Sequence, residues 1–372
     1  MKKFIILLFI IILINPIMAT AIDIENGYYS ELPEYIMVRA QVIDILHDGE
    51  TEFGFSYQVF IAEIRSGSLR GNTVIVENAF MGDYAIDIVV NSGDSIILAL
   101  EFINNEFITA HVFSHSREFH LYILAIIFVL LLLIIAHLKG LKAIVALVLT
   151  AFLIGIMLQG TLNGHDPLIL AIIISIIITI ITMLLICGFN TKAYASIIGT
   201  TGGVLVAALI SIWVGYAANL TGIYNLDVRS LRFLVDENFN FRNLLISGII
   251  IGALGAVMDV AVSIASAMEE IKKNNPSISK TELIKSGMNV GKDIAGTMAN
   301  TLILAYAGVS IPLLLLFLGF QASYISIINM EFIAVEVIRA LSGSIGLIFA
   351  IPITAITYIA LTRKKQTSVK GV

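Results

Sequence analysis

Charge is scarce in this chain. Only 13% of its 372 residues are Asp, Glu, Lys or Arg, against about 25% in soluble domains, while 58% are hydrophobic and the mean hydropathy is +0.96. A soluble protein of this size is therefore excluded in favour of a membrane protein. Cysteine is nearly absent. The one cysteine, Cys187, lies in an apolar run, which rules out an intrachain disulfide and a cysteine-based zinc centre. There is no strongly basic soluble patch, so nucleic acid is not expected as a partner. No HExxH, P-loop or nucleophile-elbow pattern occurs, and neither enzymatic activity nor a cofactor is expected.

The charge that is present is divided unevenly. Ile22 to Glu118 carries 16 acidic and 4 basic side chains, whereas the chain from Phe119 onward carries 11 acidic and 16 basic. An acidic soluble piece is thus joined to a mildly basic membrane piece. Residues 1–21 read as a secretory signal: Lys2 and Lys3, the apolar core Phe4 to Ile14, a break at Asn15-Pro16, and the small-x-small site Ala19-Thr20-Ala21. Left uncleaved, the same stretch would be an N-terminal anchor. In either case residues 22–118 would lie outside the cytoplasm.

That segment reads as a small β domain. Ile36, Val38, Ala40 and Val42 alternate with Met37, Arg39 and Gln41. Further strands are predicted at Phe53–Ile64, Thr73–Glu77, Tyr84–Val90, Ser95–Glu101 and Phe107–Phe113, separated by Gly67, Gly71 and the NSGD turn at Asn91. Five or six short strands predict a small barrel, OB-like in kind. His47, His111 and His115 are too scattered to form a metal site.

Residues 119–361 read as an α-helical membrane bundle. Seven spans are predicted after the signal: 119–137, 141–160, 167–188, 193–219, 244–268, 294–320 and 340–361. With the β domain outside, the inner loops and the 362–372 tail hold twelve Lys and Arg, while the outer loops hold only Arg229, Arg232, Arg242 and Arg339. The positive-inside bias and the signal thus agree on an outer N-terminal domain and a cytoplasmic C-terminus. Trp213 and Tyr216 sit where an interfacial aromatic belt is expected. Ser196, Gly199, Thr200, Gly203, Ala207 and Ser211 share one face of the fourth span, a pattern suited to close helix packing.

The fifth span carries Gly252, Gly255, Asp259, Ser263, Ser266 and Glu270 on one helical face. A carboxylate within the bilayer costs about 2.5–3.5 kcal/mol even on a lenient scale, and such residues are functional by default. The sixth span re-enters the membrane with Asp293, Thr297, Asn300 and Thr301 on one face, continued by Leu304 and Gly308. Aligning Glu270 with Asp293 at the inner surface puts Asp259 about 16 Å deep, level with Thr301 and Leu304 at about 12–16 Å. The expectation is a polar seam between the fifth and sixth spans, with Asp259 as a proton- or cation-binding group. Glu336 and Arg339, three apart near the outer end of the last span, suit an ion pair or a gate. Asp259 and Asp293 also invite an aspartyl-protease reading, but their depths differ by several turns and the Gly-x-Gly-Asp motif is missing. For the serines and threonines, helix-locking hydrogen bonds are the simpler role.

Three stretches carry a resemblance: GALGAVMDVAVSIASAMEEI (252–271), SGMNVGKDIAGTMANTLILAYAG (286–308) and SGSIGLIFAIPITA (342–355). In these motifs the chain resembles the YibE/F-like family of bacterial multi-pass membrane proteins. The signal, outer strand domain and run of spans fit as well. The resemblance implies a bacterial cell-membrane protein whose two polar stripes belong together. On this reading the chain transports or conducts a small solute or ion, with the lipid bilayer as its surroundings. The alternative is a sensor or scaffold whose outer domain binds a partner or ligand.

Overall fold

The computed structural model describes residues 34–50, 56–82, 87–104, 106–321 and 323–369, with side chains up to Thr362. The expected signal at 1–21 and the last residues of the expected tail lie outside them. The chain forms two compact units that divide between Leu131 and Leu132.

The N-terminal unit is a five-stranded antiparallel sheet: β1 (Glu34–Glu50), β2 (Ser56–Ile64), β3 (Thr73–Ala79), β4 (Ser95–Ile103) and β5 (Glu106–His115), in the order β3-β2-β1-β4-β5. The long β1 pairs with β4 through Glu34–Gln41 and with β2 through Ala40–Glu50. Register shifts at Val42/Asp44 and Ile45/His47 bend it as β-bulges do. The sheet curls into a half-barrel whose two edge strands approach each other. Its core is the inward set of the period-2 pattern, including Val38, Ala40, Val42, Phe60, Ile64, Ile96, Leu98 and Leu100. Five of the expected strands are present. Of the strand expected at Tyr84–Val90, Tyr84 to Ile86 lie outside the described residues, and Asp87–Val90 is irregular chain. There the buried side chain of Gln58 replaces a neighbouring strand. Its Nε2 donates to the Val90 carbonyl at 3.2 Å and its Oε1 accepts from the Val90 amide at 3.0 Å. One side chain thus satisfies both polar groups of a buried residue, and no ladder is needed.

The C-terminal unit is helical. Its elements are α1 (Glu118–Leu162, begun in the N-terminal unit), α2 (Pro167–Cys187), α3 (Thr191–Ala217), α4 (Leu226–Leu231), α5 (Phe241–Asn274), α6 (Lys280–Gly319), α7 (Tyr324–Ile328) and α8 (Glu331–Val369). Six of these are long and apolar enough to cross a membrane, one fewer than the seven predicted spans. The difference lies in α1, which is broken at His137 (φ 48°, ψ −122°). Each arm, 118–136 and 138–162, measures about 28 Å or more at helical rise. The chain is tight at the break itself: a Cβ on Gly140 would collide with the Leu132 carbonyl, so only glycine fits there. The short α4 buries none of its residues.

Capping explains several helix starts. Asp166 accepts from the amides of Leu168 and Ile169 ahead of Pro167, and Asn190 and Asn240 cap α3 and α5. Ser279 and Glu282 form the predicted capping box of α6. The hydrogen bonds from Ser279 hold the Glu282 carboxyl below its ordinary range.

α3, α5 and α8 form the centre of the bundle. The small-residue face of α3 is buried along Ser196, Gly199, Thr200, Gly203, Ala207 and Ser211, and it packs closely, as its spacing predicted. A Cβ on Gly203 would stand 2.6 Å from the Gly346 carbonyl and 2.8 Å from Val257. The glycines let the α3 and α8 backbones touch.

Candidate functional site

α5 buries the apolar side of its stripe pattern. Leu254, Val257, Ala261, Ile264 and Met268 are buried in the central cluster, while Gly252, Gly255, Asp259 and Ser263 are exposed and Ser266 is half-buried. Periodicity assigned these residues to faces correctly, and the polar face points away from the packed core.

Asp259 nevertheless has a setting of its own. It lines an open groove of about 370 Å³ whose other walls come from the second arm of α1 and from α2. Ala143, Ala146, Leu147 and Ile154 contribute one wall, and Ile178 and Ile186 another. The only other polar side chains there are Thr150 and Thr182. Asp259 has no hydrogen-bond partner among the described residues. The groove is therefore an apolar trough with one carboxylate and two hydroxyls, with volume enough for a small cation or several waters.

The expected partners of Asp259 lie elsewhere. α5 and α6 run antiparallel: Tyr306 stands over Gly252 and Gly291 against Ile264. This register brings Asp259 level with the turn Thr297–Asn300, about one turn short of the expected Thr301–Leu304 level. The facing differs. α6 packs through Leu283, Gly287, Gly291, Met298 and Leu302, whereas Asp293, Thr297, Asn300 and Thr301 are exposed. The hydroxyls of Thr297 and Thr301 donate to the carbonyls of Ile294 and Thr297, and Asn300 has no partner among the described residues. No hydrogen bond joins Asp259 to Asn300 or Thr301. The polar wall facing Asp259 comes instead from Thr150 and Thr182. Thr182 continues Ser175 and Thr179 along one face of α2, but no spacing rule ties it or Thr150 to Asp259 on another helix.

A second polar cluster surrounds the other pair. Arg339 donates to Glu336 Oε1 at 2.8 Å and to the Tyr224 hydroxyl at 3.3 Å, and its guanidinium lies 5.7 Å from the centre of the Tyr306 ring. Glu336 also lines a smaller cavity, about 180 Å³, with Tyr306 and Ser310 as the other polar residues. Glu336 Oε2 and Arg339 Nε are buried and have no hydrogen-bond partner among the described residues. Close by, Glu331 accepts from the amides of Thr221 and Gly222 at 2.7 and 2.8 Å and ties the loop after α3 to the start of α8. Tyr224, Tyr306 and Glu331 were not legible as site residues, because their partners are distant in sequence. Among the described residues no group of three or more His, Cys, Asp or Glu converges as metal ligands do.

Six apolar helices of spanning length, with ionisable side chains set into them, suggest a membrane protein of several spans. The family model described as YibE/F-like protein matches residues 124–364, well over half of the chain, and the chain belongs to that family. The match takes in the whole run of spanning helices apart from their outermost turns, including Asp259, Asn300 and Arg339, and none of the strands. Comparison with curated proteins and with solved structures finds no match.

Proposed function

We propose that this chain is a bacterial cell-membrane protein that transports or conducts a small cation or proton, with Asp259 as the group that binds it. One observation carries this reading. A carboxylate halfway along a spanning helix lines a groove of about 370 Å³, and such a side chain is kept in an apolar setting only where something is gained from it. Thr150 and Thr182 supply oxygens that can accept from a hydrated cation or donate to the carboxylate. Glu336 and Arg339 serve as a pair that locks α8 or as a gate. The chain has no enzymatic role in this account.

The orientation that goes with it puts the β unit outside the cell and the C-terminus in the cytoplasm. The inner-loop lysines support this, as does the charge-free hydrophobic core of the N-terminal signal. The β unit is OB-like in this account; its strand order and the approach of β3 to β5 support that.

The test is flux in proteoliposomes across a panel of monovalent and divalent cations and protons. Wild-type protein should carry at least one of them. Asp259→Asn, similar in size and uncharged, should insert normally and lose at least tenfold of that flux. Equal flux from Asp259→Leu would overturn the assignment.

A second reading is a sensor or scaffold. It draws on outward apolar side chains of the β unit, among them Met37, Ile75 and Phe113, which could seat a partner. Removing residues 22–117 separates the two: flux that survives favours transport, and loss of a bound outer partner without any flux favours the sensor.

A further inference from the structure

The cavity at Glu336 borders a carboxylate that the fold leaves half-used. The Glu336 side chain is 11% exposed. Its Oε1 accepts from Arg339 at 2.8 Å, while its Oε2 is buried with no hydrogen-bond partner among the described residues. A buried acceptor left without a donor costs about 1–3 kcal/mol, and more when it is charged. Beside it the cavity runs between α6 and α8, with a volume of about 180 Å³. Apart from Glu336, Tyr306 and Ser310 its wall is apolar, made by Ile303, Ala307, Leu314, Ile333, Val337 and Ala340. The Ser310 hydroxyl donates to the Tyr306 carbonyl at 3.2 Å, so its proton is already committed.

We infer that this cavity binds a small neutral molecule with an apolar body and one hydroxyl, and that the hydroxyl donates to Glu336 Oε2. Charge excludes a cation. Arg339 already balances Glu336, so a cationic ligand would leave an uncompensated positive charge in an apolar setting. Polarity excludes a cavity filled with water alone. A buried water needs two to four polar partners, and apolar cavities stay dry; one water can sit at Oε2, but the rest of the space suits carbon. A lipid chain would fill the apolar part and bring no donor, so Oε2 would stay unpaired. Size fixes the body. An engineered apolar cavity of about 150 Å³ takes up benzene, and about 180 Å³ suits a ring of phenol size. The wall shares no residue with the groove at Asp259, and the inference does not depend on what that groove carries.

The experiment is fluorine NMR on the full chain in lipid nanodiscs. The probes are 4-fluorophenol and its hydroxyl-free counterpart 4-fluorotoluene, with empty nanodiscs as the baseline for partition into lipid. Wild-type protein should give a saturable bound signal, at least tenfold tighter for 4-fluorophenol. Glu336→Gln should remove that preference: with its oxygen kept on Arg339, the amide presents a donor to the cavity where the carboxylate presented an acceptor. Ala340→Phe fills the cavity, removes no polar group and should abolish binding of both probes, so the test stands even where Glu336→Gln fails to fold. No saturable signal from the wild type, equal affinity for the two probes, a preference unchanged by Glu336→Gln, or phenol binding unchanged by Ala340→Phe would each overturn the inference.

Discussion

α5 and α6 read alike in sequence and end up differently in the fold. Both are long, both carry a polar stripe with an aspartate, and the two stripes lie at matching depth. Yet 56% of the 18-residue apolar stretch of α5 is buried against 11% of that of α6. α5 is surrounded by α2, α3, α6 and α8, so even its polar edge borders a groove with walls. α6 packs on α5 and α8 through one side only, and its polar stripe has no cover. The difference teaches that helical periodicity says which residues share a face but not which face turns inward. In water the apolar face goes in. Between lipid and protein both faces of a helix can be apolar, and packing decides.

The predictions test this contrast, beginning with the largest effect. Asp259→Asn should abolish most of the flux, whereas Asn300→Leu in α6 should leave flux within about twofold of wild type, since no hydrogen bond joins Asn300 to Asp259; proteoliposome assays of both variants measure this. Next come the glycines. Gly203→Leu, where α3 meets α8, should cost about 3 kcal/mol or more through overpacking and be read as loss of folded protein in detergent. Gly308→Leu, over open space, should be neutral or stabilising by about 0.5–1 kcal/mol, since leucine favours helix over glycine. A smaller but clear effect is expected at the ion pair. Arg339→Gln leaves the Glu336 carboxylate largely buried and unpaired, which should cost about 3 kcal/mol. Adding Glu336→Gln should recover most of that loss in thermal unfolding. The smallest effect is at the start of α6, where Ser279→Ala should cost about 1 kcal/mol of helix stability. The Glu282 carboxyl has a lowered folded pKa, so its contribution is present above the unfolded value and is lost as pH falls through the folded one. The Ser279→Ala effect should therefore shrink in acid, as followed by helix content against pH.

Much of this molecule is legible from its residues, and the limits have physical causes. The strands of the β unit follow the alternation of Val38, Ala40 and Val42. The exception, Asp87–Val90, depends on Gln58, thirty-odd residues away, whose side chain takes the place of a strand. The α3 stripe is legible because glycine, serine and alanine at that spacing fit one environment well, a closely packed neighbour. The break in α1 follows from the Lys139-Gly140 interval between two apolar runs. The groove is harder. Asp259 stands out by its charge, but Thr150 and Thr182 lie on other helices, and only tertiary packing brings them to it. Arg339 was expected beside Glu336 from the i, i+3 spacing, whereas its contact with Tyr224 crosses more than a hundred residues.

Flux is the measurement that bears most directly on the central claim. Wild-type, Asp259→Asn and Asn300→Leu proteins, reconstituted at equal density into proteoliposomes, would be challenged with a cation or proton gradient. The account predicts flux in the wild type and in Asn300→Leu, and at least a tenfold loss in Asp259→Asn. Equal flux from wild type and Asp259→Asn, with Asn300→Leu as the inactive variant, would contradict it and return the pathway to the face of α6.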